Sequence, residues 1–325
     1  MLSAALACTR VAYQNCPMAH ARELEWLQQS VGVLSLSDRA IIAVSGDDAR
    51  EWLQGQLTNQ LEGVEPGGSS YAFVLSLKGR ILADVYALVR EDDVWLDVPA
   101  SQVSALLERF DRYIIMEDVD LEVREDLRVI TAQGPSASKV AESGWPADRL
   151  GVGGRQWVVP SDELESELER LTARSRELGG GWVSDQAWNH AHVLRGRPRF
   201  GVDFGEQTYP QESGLNPLAV SFNKGCYIGQ ETVVMLENRG KAPKLLWRWT
   251  VESTEPPVAK APIMLADTVV GEITSAVQGS GSVSALGFLK RGHDAEGPEG
   301  FTIGGAPAHA IGAVEDGPGV CHTPT

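Results

Sequence analysis

The sequence predicts an α+β fold with antiparallel sheets, followed by a small C-terminal β-barrel or sandwich. Two observations predict the α+β part: apolar runs occur in hairpin-like pairs, and single amphipathic helices separate them. A third observation, short apolar runs punctuated by glycine after residue 262, predicts the barrel. A doubly wound parallel sheet fits less well, because strands and helices do not alternate strictly. With 325 residues, the chain is long enough for two or more domains.

The first predicted elements are a helix, a strand and a second helix. Residues 22–34 favour an amphipathic helix because four apolar side chains recur at helical spacing, and residues 40–44 favour a strand. Asp47 can then cap the second helix. The apolar faces consist of Leu24, Leu27, Val31 and Leu34 in the first helix, and of Ala49, Trp52, Leu53 and Leu57 in the second.

A hairpin follows. Residues 71–77 and 81–89 are apolar runs separated by Lys78-Gly79-Arg80, and Gly79 can supply the positive φ that a tight turn needs. The next predicted elements are a strand over residues 94–98, a helix over 101–110 that Pro99 leads, and a strand over 127–132.

A second α+β portion is predicted from residue 156, where residues 156–159 form a strand. Ser161 can cap a helix that a run of three glycines ends, and Ser184 can open another helix up to Arg195. The apolar face of the first of these helices consists of Leu164, Leu168, Leu171 and Leu178. Residues 197–225 are irregular, and loops of that length inside a compact domain are often functional. The predicted C-terminal strands cover residues 269–273, 285–289 and 308–311.

Composition excludes several classes of function. The formal net charge of −16 argues against direct nucleic-acid binding, because a phosphate backbone attracts clusters of Lys and Arg. No apolar run reaches the roughly 18 residues that span a bilayer, so we expect no membrane segment. The four cysteines form neither a CxxC pair nor a zinc pattern with the histidines, which fits a reducing compartment without a stable metal site. They are Cys8, Cys16, Cys226 and Cys321.

The most informative segment is Lys224-Gly225-Cys226-Tyr227-Ile228-Gly229-Gln230-Glu231, which Arg239-Gly240 follow. A thiol reacts or binds metal as the thiolate, and a neighbouring lysine can draw the pKa of a thiol below its ordinary value of about 8.5. The alternative is a buried cysteine in a glycine-rich turn, because free cysteines are among the most buried residues. The polar residues around Cys226 favour a functional thiol.

Together with other segments, this signature resembles the YgfZ family of folate-binding proteins, which includes mitochondrial iron–sulfur assembly factors. The supporting matches occur in the family's order and are Gly46-Asp47-Asp48-Ala49 with Leu53, Gln56-Leu57-Thr58-Asn59, Lys78-Gly79-Arg80, Ala132-Gln133-Gly134-Pro135, and residues 199–212. The framework is also similar to the T-protein, the aminomethyltransferase of the glycine cleavage system. That relative lacks the Lys-Gly-Cys-Tyr signature, so Cys226 places this chain nearer to YgfZ.

The resemblance implies a three-lobed ring, in which two α+β lobes and a C-terminal β-barrel surround a central folate site. We therefore expect a flexible extension over residues 1–21, a folate-binding region of two interleaved lobes over 22–242, and the barrel over 243–325. The implied cofactor is tetrahydrofolate or another reduced folate. The implied partners are iron–sulfur client enzymes or assembly proteins, through which a monomer would act indirectly on tRNA modification. The implied compartment is the cytoplasm, or the mitochondrial matrix in a eukaryote.

The resemblance also suggests roles for individual residues. Cys226 is the functional thiol, and it can ligate an iron–sulfur cluster transiently together with a partner. Glu212 matches the position of a pterin-binding acid, although a solvated loop glutamate is the alternative. Asp84 matches one of two acids in aminomethyltransferases; Ala83 replaces the other, and an acid at the end of an exposed strand is the competing interpretation. Lys224 belongs to the same folate-binding set.

Further residues of the signature have more than one interpretation. Arg239 can stabilise the thiolate or bind a folate carboxylate, and Lys241 can take the second role instead. Tyr227 can line the folate site or pack under the loop. Gly225 and Gly229 are expected to allow tight turns, while Gln230 and Glu231 can orient the cysteine loop or cap a helix.

The resemblance implies two candidate functions, and Cys226 by itself suggests a third. We expect a folate-dependent accessory protein rather than an enzyme. The alternative is a tetrahydrofolate-dependent aminomethyltransferase or demethylase, which Ala83 and the cysteine signature count against. A cysteine hydrolase would need a nearby base such as His190 or His192, and no sequence signature identifies one.

Overall fold

The structure is a computed structural model that describes residues 17–239, 242–279, 281–293 and 300–314. Cys8, Cys16, Cys321, Gly240 and Lys241 lie outside these ranges, as do the predicted extension up to residue 16 and the final residues. Within the described ranges, no helix is long and apolar enough to cross a membrane.

The elements below are numbered in chain order. The α-helices are α1 (Pro17–Gln29), α2 (Ala49–Gln56), α3 (Val103–Asp111), α4 (Leu164–Glu177), α5 (Asp185–Arg195), α6 (Pro210–Ser213), α7 (Asn216–Ala219) and α8 (Gln230–Arg239). The strands are β1 (Gly32–Leu36), β2 (Arg39–Ser45), β3 (Ser69–Leu75), β4 (Ile81–Val89), β5 (Val94–Pro99), β6 (Asp120–Val123), β7 (Leu127–Gln133), β8 (Trp145–Pro146), β9 (Gly154–Pro160), β10 (Gly181–Trp182), β11 (Lys244–Val251), β12 (Pro262–Leu265), β13 (Thr268–Gln278), β14 (Val283–Lys290), β15 (Phe301–Ile303) and β16 (Ala306–Ala313).

The chain divides into two compact units, and the first consists of Met1–Ser37 with Asp126–His192. Its five-stranded sheet has the order β10-β1-β7-β9-β8 and is antiparallel apart from the short β1–β10 pair. Helix α4 packs on this sheet through Leu168 and Leu171, which join a buried cluster with Val31, Ile130 and Trp157. The apolar face predicted for this helix therefore forms the core of the unit.

The second unit consists of Asp38–Glu125 with Val193–Thr325 and contains a sheet and a barrel. The sheet is wholly antiparallel, with the order β3-β4-β5-β2-β6, and helices α2 and α3 cover one face through Trp52, Leu53, Leu106 and Phe110. The predicted hairpin turn is confirmed, since Gly79 has a φ of +74° between β3 and β4.

Six strands close the C-terminal barrel in the order β11-β14-β13-β12-β15-β16. Trp249, Ile263, Ile273 and Phe301 fill its interior. The closed barrel and the two largely antiparallel sheets confirm the predicted fold class. The first barrel strand, β11, is not among the predicted strands.

Several local predictions are wrong. The helix predicted for residues 22–34 ends at Gln29, so Val31 lies beyond it and Leu34 lies in strand β1. The reason is Gly32, which disfavours a helix and packs so closely that a Cβ atom there would meet Leu27 and Val183 at 2.4–2.6 Å.

Two predicted helix caps are also wrong, because the helices begin later. The N-cap of α2 is Asp48 rather than Asp47, and that of α4 is Glu163 rather than Ser161, whose hydroxyl donates to the carbonyl of Asp126. The cap at Ser184 is confirmed, since its Oγ accepts a hydrogen bond from the Ala187 N–H of α5 at 3.3 Å. The loop predicted over residues 197–225 contains the two short helices α6 and α7.

Candidate functional site

Cys226 is exposed on the loop that leads into helix α8. The alternative of a cysteine buried for packing is therefore wrong. Two neighbours in the signature are buried: Lys224 and Tyr227 have only 8% and 6% of their surface exposed. The loop thus presents its thiol while its other side chains hold it in place.

Lys224 anchors the loop to the end of helix α2. Its Nζ donates three hydrogen bonds to carbonyl oxygens of earlier residues, Gln54 at 2.7 Å, Leu57 at 2.6 Å and Asn59 at 2.8 Å. The last carbonyls of a helix lack partners inside the helix and attract cations, so the ammonium supplies a cap from a distant part of the chain. Burial lowers the pKa of Lys224 to about 8. Its three donors serve the main chain rather than the thiol.

Backbone contacts fix the loop further. The Ile228 N–H donates to the Gly55 carbonyl at 3.1 Å, next to the lysine anchor. Gly229 has a φ of +84°, and a Cβ atom there would lie 2.5 Å from the Ser76 carbonyl oxygen of the β3–β4 turn. The expected role of Gly229 is thereby confirmed. Gly225 has no positive φ and faces open space, so the expectation for that glycine is wrong.

Tyr227 packs its ring beneath the loop, in an apolar cluster with Phe73, Ile81 and Val233. Burial raises the pKa of its phenol to about 12. Among the described residues its hydroxyl has no hydrogen-bond partner. A buried hydroxyl without a partner is costly, so this atom is a candidate contact for a polar ligand.

The segment Gln56-Leu57-Thr58-Asn59 lies against the approach to the cysteine loop. Thr58 Oγ1 donates to the Ala219 carbonyl at 2.6 Å, and Asn59 Nδ2 donates to the Leu218 carbonyl at 2.9 Å. Because Lys224 of the cysteine signature donates to the Leu57 and Asn59 carbonyls, these two sequence motifs contact each other. Sequence reasoning found both motifs but not their contact.

Glu212 lies in helix α6 with only 2% of its surface exposed, so the interpretation as a solvated loop glutamate is wrong. Its Oε2 accepts a hydrogen bond from the Tyr209 N–H at 2.9 Å. Burial raises the pKa of Glu212, and this backbone bond and the charges of Lys244 and Arg80 oppose the shift. The result is a buried carboxyl group with two cations nearby.

Asp84 lies within strand β4 and is 8% exposed, which excludes the end of an exposed strand. Its Oδ1 accepts a hydrogen bond from Arg39 Nη1 at 2.7 Å, and Arg39 Nε binds Asp97 Oδ1 at 2.6 Å. Burial alone would lower the pKa of Arg39, but the two aspartates raise it well above its usual range. The three side chains form a buried ion cluster that sequence reasoning missed, since charged residues rarely lie inside a sheet.

The remaining predicted residues lie in helices α5 and α8. Gln230 and Glu231 begin helix α8, in agreement with the predicted helix start, and Arg239 is its last residue. His190 Nδ1 lies 2.7 Å from His20 Nε2, and the ring of His192 packs edge-on against Trp188. In the part of the chain that the structure describes, no group of three or more His, Cys, Asp or Glu residues could hold a metal ion.

One further residue was missed. Asp203 lies buried in the loop before α6, where its carboxylate accepts hydrogen bonds from Thr274 Oγ1 at 2.7 Å, Ser275 Oγ at 2.6 Å and the Arg199 N–H at 2.9 Å. Through these bonds it fastens that loop to strand β13. An Asp among glycines and aromatics in an irregular segment gave no signal of this role.

A protein-family model and the fold of a solved structure match this chain. The family model of the GCVT N-terminal domain matches residues 10–149. The chain is similar in fold to the glycine cleavage system aminomethyltransferase T from Bartonella henselae, with a TM-score of 0.75 and 18% identity, covering 92% of this chain and 90% of that one. The fold is therefore that of the T-protein.

Several curated proteins match about two thirds of this chain in sequence. The tRNA-modifying protein YgfZ of Colwellia psychrerythraea is 24% identical over 66% of this chain and 70% of its own length. The protein of the same name from Vibrio atlanticus is 27% identical over 69% and 70%. A mitochondrial iron-sulfur cluster assembly factor IBA57 homolog from Neurospora crassa is 26% identical over 66% of this chain and 52% of its own length. The resemblance predicted from the cysteine signature is confirmed.

Proposed function

We propose that this relative of the YgfZ and IBA57-type proteins is a folate-binding accessory protein that uses Cys226 to support iron–sulfur enzymes, and that it affects tRNA modification through them. The single observation that carries the proposal is the contrast within the signature. Lys224, Tyr227 and Gly229 are held by buried contacts, while Cys226 is left exposed.

That contrast favours a thiol that meets another molecule. An exposed cysteine needs no ammonium anchor and no close glycine contact for its own sake. Holding a loop in one conformation costs conformational entropy, which several buried contacts here offset. A rigid loop that positions one thiol is what ligation shared with a partner requires, because a single cysteine supplies only one of the four ligands that a cluster usually takes.

The region around Glu212 fits a folate. A pterin edge carries N–H donors that a buried carboxylate can accept, and the apolar cluster containing Phe73 and Leu75 offers a wall for a flat ring. Tyr227 contributes a buried hydroxyl without a partner among the described residues. Folate, when bound, would supply the one-carbon unit or a polar planar surface.

Names of relatives support the proposed clients. Proteins called tRNA-modifying protein YgfZ and an iron-sulfur cluster assembly factor IBA57 homolog match about two thirds of this chain. Radical iron–sulfur enzymes such as tRNA methylthiotransferases would connect the two names, because such enzymes modify tRNA and depend on clusters.

Asp84 favours the accessory role over an aminomethyltransferase. A general base must approach the proton that it accepts, and the buried ion pair with Arg39 holds the Asp84 carboxylate in place on its strand. The shared fold supports no activity by itself, because one fold can carry unrelated functions.

Reactivation of a purified client tests the role of the thiol. A tRNA methylthiotransferase that has lost its cluster is reconstituted in the presence of wild type, Cys226→Ser or Gly225→Ala, and its turnover is measured. We expect Gly225→Ala to match wild type, because its Cβ would face open space, and Cys226→Ser to give no stimulation. Equal stimulation by all three proteins would remove the thiol from the mechanism.

Calorimetric titration with tetrahydrofolate tests the cofactor separately. We expect wild type and Cys226→Ala to bind alike, and Glu212→Ala to lose at least tenfold in affinity, about 1.4 kcal/mol. Exposed Glu206→Ala, in the loop before α6, is the matched control and should bind as wild type does. Unchanged binding by the Glu212 variant would refute the pterin assignment.

A further inference from the structure

Two buried carboxamide side chains flank Glu212. Gln211 precedes it in helix α6, and Asn216 begins helix α7. Their exposed fractions are 8% and 6%. Neither residue was singled out by the sequence, since Gln and Asn in a polar loop are ordinarily solvated.

Contacts with helix α8 fix which way each amide points. Gln211 Nε2 donates to the Val233 carbonyl at 2.9 Å and to Glu237 Oε2 at 3.3 Å, and Asn216 Nδ2 donates to the same Glu237 oxygen at 3.2 Å. Carboxylate and carbonyl oxygens only accept hydrogen bonds, so the NH₂ group of each amide must face them. A rotated amide would instead set its oxygen against these acceptors.

The carbonyl oxygens of both amides are therefore left for another donor. Gln211 Oε1 and Asn216 Oδ1 are buried and have no hydrogen-bond partner among the described residues. A buried acceptor without a donor is costly, so each of these oxygens calls for a donor from outside the described part of the chain. Both atoms can only accept, so a matching ligand must offer N–H or O–H groups.

Every pterin carries N–H donors at N3 and at its 2-amino group, and reduction adds further donors on the second ring. In folic acid the ring atoms N5 and N8 are acceptors, in 7,8-dihydrofolate N8 carries a hydrogen, and in tetrahydrofolate both atoms do. A fixed amide oxygen would repel an acceptor nitrogen of the oxidised ring. It would accept a hydrogen bond from the same nitrogen in the reduced ring. We propose that Gln211 and Asn216 are specificity residues that accept hydrogen bonds from the ring N–H groups of a reduced folate and disfavour folic acid.

This inference rests on the proposed folate site and adds its selectivity. Glu237 acts as a positioning residue, because its carboxylate orients both amides and is itself exposed. Glu212, adjacent to Gln211 in the chain, would bind the part of the pterin that all three oxidation states share. Gln211 and Asn216 would thereby determine the selectivity among folates, and Glu212 would determine the affinity that all three folates share.

Titration of wild type with the three folates gives the first test. Under anaerobic conditions we expect the dissociation constant to fall in the order folic acid, dihydrofolate, tetrahydrofolate, because the number of ring donors rises in that order. If folic acid binds as tightly as tetrahydrofolate, the inference is wrong and the folate site stands. If none of the three binds, the folate proposal itself fails.

The second test uses Gln211→Met and Asn216→Leu, which keep the approximate volume and remove the acceptor. Each is expected to weaken tetrahydrofolate binding about tenfold and to change folic acid binding little, so that the ratio of the two constants falls. The thermal midpoint is expected to fall, because the hydrogen bonds that the amide NH₂ groups donate to helix α8 are lost as well. The ratio of the two constants is therefore the discriminating readout, since a merely structural role would leave it unchanged.

Gln133 provides the matched control. It is a fully buried glutamine whose amide is satisfied on both sides: Nε2 donates to Thr131 Oγ1 and the Ala147 carbonyl, and Oε1 accepts from the Arg149 N–H. Gln133→Met should therefore lower the thermal midpoint and leave the folate ratio at its wild-type value. The specificity assignment is refuted if Gln211→Met and Asn216→Leu also leave that ratio unchanged. If only one of the two variants folds, an unchanged ratio for that variant refutes it equally.

Discussion

Within the signature, some residues fix the conformation of the loop, and Cys226 is exposed on it. Lys224 was expected to act on the thiol or on folate, but its ammonium instead caps helix α2. The sequence could not predict this contact, because the three carbonyls lie 165–170 positions earlier in the chain. By contrast, the exposure of Cys226 was predictable from the polar residues around it.

Removal of the Lys224 ammonium should loosen the anchor. We expect Lys224→Met to lower the free energy of unfolding by about 2 kcal/mol, since three buried carbonyls lose a charged donor. Urea denaturation measures this loss. The control is Lys78→Met at the exposed hairpin turn, for which we expect a change within about 0.5 kcal/mol. Equal stability of the two variants would mean that the lysine does not anchor the loop.

Glu212 should make stability depend on pH. Its pKa is raised in the folded state by burial, so the folded chain keeps this proton more tightly than the unfolded chain does. The contribution is fully present below the ordinary value of 4.5 and is lost as the pH rises through the higher folded pKa.

Glu212→Gln removes that dependence and keeps an acceptor for the Tyr209 N–H. We expect the free energy of unfolding of this variant, relative to wild type, to increase as the pH rises from about 4 to about 7. Chemical denaturation at a series of pH values checks the sign. A relative stability that falls over this interval would show that the ionised carboxylate stabilises the fold.

At the scale of elements, the cysteine loop and the β3–β4 turn interlock through two glycines. Gly79 and Gly229 approach so closely that a Cβ atom on Gly79 would lie 3.2 Å from the Gly229 carbonyl oxygen. Gly229→Ala should cost about 2 kcal/mol, because its φ is positive and its Cβ would lie 2.5 Å from the Ser76 carbonyl oxygen, whereas Gly225→Ala should be neutral. Thermal unfolding of both variants measures the difference. The interlock would be disproved if both alanines were tolerated equally.

Elements were predictable where the local pattern and the final contacts agree. The hairpin around Gly79 and helix α4 follow from turn chemistry and from leucines at helical spacing. Strand β1 was read as helix, because Val31 and Leu34 continue the helical spacing of Leu24 and Leu27. Its strand conformation depends on pairing with β7, almost 100 residues later, which no local pattern contains.

For the molecule as a whole, the net charge of −16 separates the proposed effect on tRNA from any direct contact with tRNA. We expect no band shift with tRNA at about 150 mM salt, because the chain would repel the phosphate backbone. Micromolar binding that weakens steeply with added salt would contradict this expectation. The proposed route to RNA would then pass through the chain itself rather than through its clients.

The fold of the molecule was more predictable than the chemistry of its site. Two antiparallel sheets and a C-terminal barrel follow from the order of apolar runs. The Arg39–Asp84–Asp97 cluster and the Gln211–Asn216 pair depend on contacts between distant or irregular segments. Because these polar side chains are buried, the first three form an ion cluster and the last two have carbonyl oxygens without donors among the described residues. The sequence does not show which polar side chains are buried.

The level of methylthiolated tRNA in cells that lack the native homologue tests the central claim most directly. Such cells would express wild type, Cys226→Ser or Gly225→Ala at equal levels. The account predicts that wild type and Gly225→Ala restore the modification and that Cys226→Ser leaves it at the level of the deletion. Full restoration by Cys226→Ser would contradict the claim that this loop exists to present its thiol.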